Sequence, residues 1–324
     1  MAMDTKTTVF YPFYDPYRNG NMLSMPAKVG ISLFFGMGYI LLQYAVMPDK
    51  AVFFEQSIWV LGAIIATSIM ALYAATMAFR KTLDTINRIE GTGRVSQGIV
   101  QVWMRDNRFL LAGAVFATVN TTVGHLLGAP VAFQESVPAL SMLYAGFLLS
   151  GFFSGMGLLS IASVIVLYLR FAPHIQHALN PESPDGSGGI GSLGDTLWFF
   201  ALLIGAVGVL VSIFLVNVEW SFMHKGYVQV LFMLWLALPY TLAVSIVLVP
   251  GLAVRRQVRD FKSYRARQLR EEETQLFNSF KEFEEAQDEQ IIASKKEINE
   301  RLENIQSQMD KLRKMRNSHI DSKN

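Results

Sequence analysis

Hydrophobic residues are concentrated in six long runs, and charged residues dominate the last quarter of the chain. A membrane-spanning helix needs about 20 mostly apolar residues to cross roughly 30 Å of hydrocarbon. Six runs reach that length, and they lack the polar stripe that is typical of helices in soluble proteins. The pattern predicts six transmembrane helices at 27–47, 57–79, 109–131, 138–170, 196–218 and 228–252.

The C-terminal segment has the pattern of a long charged helix. All 24 Gly and all 11 Pro of the chain precede Arg255. Apolar residues near the end recur at steps of four and three, which is the a/d seam of a coiled coil. Two successive steps of four at Phe283, Gln287 and Ile291 form a stutter, which unwinds a supercoil locally. The seam consists of Ile298, Leu302, Ile305, Met309 and Leu312.

We therefore predict an all-α polytopic membrane protein with six transmembrane helices and a long C-terminal cytoplasmic coiled-coil helix. If it is continuous, the segment 256–316 forms a rod of about 90 Å, at 1.5 Å per residue. Its seam needs a partner, which is a second copy, the bundle itself or another protein. The heptad spacing favours a homo-oligomer.

This pattern divides the chain into four parts. A cytoplasmic N-terminal segment covers 1–26. The six-span domain covers 27–254, with cytoplasmic loops at 80–108 and 171–195. A basic juxtamembrane segment at 255–270 is followed by the coiled-coil tail at 271–324.

The distribution of Lys and Arg predicts the orientation of the spans. With the N-terminus inside, ten of the twelve basic residues before the tail are cytoplasmic, and only Lys50 and Lys225 face outward. Such a bias places the basic side in the cytoplasm. We expect a multi-pass protein of the cell membrane, such as a bacterial inner membrane, with both termini cytoplasmic.

Polar residues are rare in the middle of the spans. No Asp, Glu, Lys or Arg lies there, which argues against an ion-coupled pump, because such proteins need buried carboxylates. Asn120, Thr121 and His125 are the most polar group at mid-depth. They either hydrogen-bond across helices or line a pore or cavity. Pro239, in the sixth span, predicts a kink that could serve as a hinge.

Small residues recur at intervals of four within the spans, as at Gly146, Ser150 and Ser154. Small side chains allow close helix packing in lipid, either inside one subunit or between subunits. Three tryptophans lie near the predicted interfaces and suit an aromatic belt, namely Trp103, Trp198 and Trp220.

A basic cluster follows the sixth span and predicts contact with anionic lipid headgroups, at about 1 kcal/mol for each residue near the surface. Acidic residues follow at once, which disfavours nucleic acid as the partner. The cluster comprises Arg255, Arg256, Arg259, Lys262 and Arg265.

A glycine-rich loop between the fourth and fifth spans is the remaining candidate site. It is either a tight turn or a backbone nest that binds an anion or ligand. Its candidate residues are Asp185, Gly186, Gly188, Gly189 and Gly191. The chain has no cysteine, and its histidines and acids match no metal spacing. We expect no enzyme, no cofactor and no metal site.

Two classes of function remain. The first is an oligomeric channel or pore that is assembled or gated through the cytoplasmic coiled coil. The second is a membrane-anchored adaptor or sensor whose tail recruits a cytosolic protein. A pore needs polar or kinked spans around an axis, whereas an adaptor needs only an accessible tail.

Overall fold

The computed structural model describes residues 24–90, 106–128, 130, 133–134, 136–177, 179–183, 189–284 and 289–315. Within these ranges the chain is helical and forms no β-strand. The helices are α1 (Met25–Val46), α2 (Lys50–Glu55), α3 (Val60–Glu90), α4 (Asp106–Leu127), α5 (Val137–Phe171), α6 (Gly191–Asn217), α7 (Gly226–Glu284) and α8 (Glu289–Lys314). A 3₁₀ helix, Ala172–His177, follows α5.

Six of the helices in the described ranges, α1 and α3 to α7, are long and apolar enough to cross a membrane. The predicted all-α class and the six apolar helices are therefore confirmed, and they indicate a multi-pass membrane protein. The bounds differ at the third span, where α4 ends at Leu127. Gly128 follows with a φ of +89°, a left-handed conformation that glycine adopts without strain.

The contacts divide the chain into two compact units. The bundle unit comprises Met1–Arg88, Thr92–Leu167 and Thr196–Val247, and the tail unit comprises Ile89–Gly91, Tyr168–Asp195 and Leu248–Asn324. Residues 91–105 of the predicted cytoplasmic loop 80–108 lie outside the described residues.

Close contacts at glycines hold the bundle unit together. A β-carbon at Gly155 would lie 2.5 Å from the carbonyl oxygen of Ala112, which places α5 directly against α4. Gly62 would meet the carbonyl oxygen of Gly36 at 2.7 Å, so α3 and α1 are equally close. The small residues therefore serve packing inside one copy. In the most apolar 18-residue stretch of each candidate span, 59% is buried in α3 and 44% in α5, against 17–28% in the other four. Helices α3 and α5 therefore form the centre of the bundle unit.

The tail unit contains a helical hairpin. Arg265 of α7 donates to Gln308 of α8 at 3.3 Å, and Lys262, one turn earlier, donates to the backbone carbonyl of Met315. The order of these contacts shows that α8 runs antiparallel to α7. The continuous 90 Å rod is therefore wrong. Helix α7 ends at Glu284 and α8 begins at Glu289, within the predicted stutter.

Candidate functional site

The bundle unit contains a partly open cavity with a volume of about 170 Å³. Helices α3, α4, α5, α6 and α7 line it, together with Trp220 from the segment between α6 and α7. Its wall on α5 runs from 147 to 161 and its wall on α3 from 61 to 75. Each wall is about 21 Å long, at 1.5 Å per residue, which is most of the hydrocarbon thickness of a bilayer.

Three aromatic residues of the cavity lining pack against one another. The Trp220 ring stacks on Phe147 with centroids 6.3 Å apart and meets Phe214 edge-on at 6.0 Å. The indole N–H of Trp220 donates to the carbonyl of Leu215 at 2.9 Å, which fixes the ring. Trp220 is 6% exposed, so its assignment to the aromatic belt is wrong. Trp198 is exposed as expected, and Trp103 lies outside the described residues.

The lining carries no charge and few polar groups. None of the described residues around the cavity is Asp, Glu, Lys, Arg or His, and the polar ones are Ser68, Asn120, Ser150 and Ser154. Asn120 donates to the carbonyl of Phe147 at 2.8 Å and to the Ser150 hydroxyl at 3.2 Å. Asn120 thus links α4 to α5 and also borders the cavity, and its role in a pore stays a prediction.

The other two residues of the predicted polar group do not line the cavity. Thr121 donates to the carbonyl of Ala117 at 2.8 Å, one turn back in its own helix. His125 is exposed, and its Nδ1 lies 3.0 Å from the Tyr144 hydroxyl. The sequence could place these residues at mid-depth but could not show which neighbour each would face.

Pro239 lies inside α7 and contributes to the cavity wall. A β-carbon at Gly208 of α6 would lie 3.0 Å from the Pro239 ring, so the two helices touch at this point. The hydroxyls of Tyr240 and Ser212 lie 2.7 Å apart beside it. These contacts position the proline, and its role as a hinge stays a prediction.

The basic residues after the sixth span fall into two groups. Arg255, Arg256 and Arg259 are exposed and accessible to headgroups. Lys262 and Arg265 are half-buried and hydrogen-bonded to α8. These two side chains are therefore engaged within the tail unit, and their contact with lipid stays a prediction.

The predicted seam lies in the interior of the tail unit. Ile298, Ile305 and Leu312 are buried, whereas Leu302 and Met309 are half-buried. Lys311, on the exposed side of α8, pairs with Glu182 at 2.6 Å. This hydrogen bond and the positive charge hold the pKa of Glu182 below its ordinary value.

The glycine-rich loop is only partly described. Gly189 is exposed with a φ of +93°, and Gly191 begins α6. Asp185, Gly186 and Gly188 lie outside the described residues, so the predicted ligand loop stays a prediction. No group of three or more potential metal ligands occurs in the part of the chain that the structure describes.

Sequence reasoning missed the pair formed by Ser68 and Ser154. These residues come from α3 and α5, and their hydroxyl oxygens lie 3.4 Å apart at the cavity wall. Ser154 was visible as one member of the small-residue pattern. Ser68 carried no signal, because a single serine in a span is common and its neighbour is 86 residues away.

Comparison with known proteins identifies no relative. The chain matches no family model, and no curated protein and no solved structure is detectably similar to it. The geometry of the molecule is therefore the basis for any functional conclusion.

Proposed function

We propose that this protein is a multi-pass membrane sensor. Its bundle unit binds a small uncharged apolar molecule from the bilayer, and its tail unit recruits a cytosolic protein. The observation that carries the proposal is the uncharged cavity inside the bundle, lined by five of the six candidate spans in the described ranges.

The chemistry of the lining selects the ligand class. Moving an ion into an apolar site without a counter-charge is very costly, and the described lining offers none. Apart from four polar side chains the lining is apolar, and apolar cavities accept apolar guests. The cavity therefore suits an uncharged, mostly hydrocarbon molecule better than an ion with its hydration shell.

The tail unit supplies the surfaces for membrane and partner contacts. Exposed Arg255, Arg256 and Arg259 suit anionic headgroups, as expected from the sequence. The apolar seam already packs inside the unit, so a partner would meet the charged outer faces of α7 and α8. Assembly of copies through the seam would require the hairpin to open. The ten-to-two distribution of basic residues supports cytoplasmic termini.

Gly157 allows the cavity to be filled without distorting the backbone. It lines the cavity, and a β-carbon there would meet no atom within 4 Å. Gly205 on α6 is equally open but does not line the cavity. Gly157→Leu and Gly205→Leu are therefore a matched pair.

The test uses a photoreactive alkyl diazirine in vesicles that contain the full chain. In the native protein and in Gly205→Leu, peptides from 147–161 should be labelled, and excess unlabelled alkane should compete. Gly157→Leu should lower this competable labelling about tenfold, since the added side chain occupies the space. Equal labelling of both variants would show that the cavity is not the binding site.

An ion channel is the second candidate, favoured by the length of the cavity walls. Walls of about 21 Å could become a continuous path if α7 moved at Pro239. Ion flux from liposomes tests this directly. Flux that Asn120→Leu reduces would support the channel. Absence of flux at every pH and voltage would favour the sensor.

A further inference from the structure

The hydroxyl pair of Ser68 and Ser154 lies halfway along the cavity. Ser68 is seven residues from both 61 and 75, and Ser154 is seven residues from both 147 and 161. About 10 Å of predominantly apolar wall therefore extends on either side of the pair. In a bundle that spans the bilayer, which the proposed function assumes, this depth offers no water to satisfy the polar atoms.

This pair differs from the serine and threonine hydroxyls of the bundle that donate to their own helix. Thr118, Ser160 and Ser163 each donate to a carbonyl one turn earlier, at 2.7–3.2 Å. In the described structure, Ser68 and Ser154 have no hydrogen bond except the one between them, at 3.4 Å. Each hydroxyl has one hydrogen to donate. One serine donates to the other, so the second serine keeps a hydrogen that no described atom accepts.

We propose that the ligand of the cavity is an uncharged alkyl compound with an oxygen acceptor, such as a ketone or ester carbonyl, which receives a hydrogen bond from Ser68 or Ser154. This inference rests on the proposed function, because it requires that the cavity is a binding site. The apolar walls contact the hydrocarbon part of the ligand. The serine hydroxyl hydrogen that lacks an acceptor favours a ligand with an acceptor atom halfway along the cavity. The uncharged lining disfavours an ammonium ion or a carboxylate as the ligand.

The experiment compares two photoreactive probes of equal length, a long-chain ketone and the corresponding alkane. The native protein should bind the ketone about five- to tenfold more tightly, which is the range expected for one hydrogen bond of about 1 kcal/mol. The double variant Ser68→Ala with Ser154→Ala should lose this preference and keep its affinity for the alkane. Ser163→Ala is the matched control, because its buried hydroxyl donates to Leu159 and does not line the cavity.

The outcomes separate this inference from the proposed function. Loss of ketone preference in the double variant alone supports the hydrogen bond. Equal binding of ketone and alkane to the native protein, or an equal loss of both in the double variant, overturns the inference while the binding site stands. Competable binding of both probes that is unaffected by Gly157→Leu overturns the proposed function itself.

Discussion

The bundle unit and the tail unit are built from the same secondary structure but are stabilised by different forces. In the bundle, helix backbones touch at Gly62 and Gly155, and polar groups are few and mostly bonded within or between helices. In the tail, the residues between the helices include Lys262 and Arg265, and an exposed ion pair joins Lys311 to Glu182. The bundle should therefore respond to changes in side-chain volume, and the tail to changes in charge, salt and pH.

The largest effect should come from removing a close contact in the bundle. Gly155→Val would place a β-carbon 2.5 Å from the backbone oxygen of Ala112, so α4 and α5 must separate. We expect a loss of about 3 kcal/mol or more in the free energy of unfolding. Thermal unfolding in detergent, followed by tryptophan fluorescence, measures it. Gly205→Val is the control, since its site is open. Equal melting temperatures for both variants would contradict the packing described here.

A charge in the seam should have the next largest effect, confined to the tail unit. Ile305 is 4% exposed, so Ile305→Glu buries a carboxylate and removes apolar contact, at a cost of about 3 kcal/mol. Faster hydrogen exchange in 254–269 and in α8 should report the opened hairpin, whereas exposed Glu303→Gln should leave exchange unchanged.

The same variant separates the two uses of the seam. If the seam closes the hairpin within one copy, Ile305→Glu leaves the size of the detergent-purified particle unchanged. A smaller particle would show that copies assemble through the seam, as the heptad pattern alone suggested, and that the intramolecular hairpin is not the state of the native protein.

The apolar pattern was sufficient to predict the six candidate spans, because hydropathy is a local property of each segment. It could not predict the partner of the seam, since Ile298, Ile305 and Leu312 have the same spacing whether they face another copy or their own chain. No glycine or proline lies between Glu284 and Glu289, so the sequence did not predict the end of α7.

The candidate site was predictable only in part, for a related reason. Asn120 was found because an amide is rare at mid-depth. The cavity depends on how five helices pack, and the Ser68–Ser154 contact joins residues that are 86 positions apart. Neither feature leaves a periodic signal in the sequence.

A smaller effect is expected from pH in the tail unit. Because the Lys311 hydrogen bond lowers the pKa of Glu182, the pair stabilises the unit above the ordinary carboxyl pKa. This contribution is lost as the pH falls through the lowered value. After correction for the intrinsic pH dependence of amide exchange, the protection of α8 near Lys311 should therefore decrease at acidic pH, and Lys311→Gln should remove this part of the response. Unchanged pH dependence in that variant would show that the ion pair does not hold α8.

The smallest effect should come from His125→Ala. Because His125 is exposed and lies outside the cavity, its removal should leave probe labelling of 147–161 unchanged. The sequence alone placed this histidine among the residues that could line a pore or cavity. Ion flux that disappears in His125→Ala would support that prediction and place a conducting path beside α4.

The most direct test of the central claim asks whether the interior of the bundle is dry. The chain has no cysteine, so Ser154→Cys and Ser263→Cys each carry a single thiol, one at the cavity and one on the exposed face of the tail. We predict that a charged thiosulfonate modifies Ser263→Cys rapidly and leaves Ser154→Cys unmodified until the protein is denatured, because a thiol in apolar surroundings is neither ionised nor reached by ions. Comparable modification of both thiols in the folded protein would show a water-filled path and contradict the account.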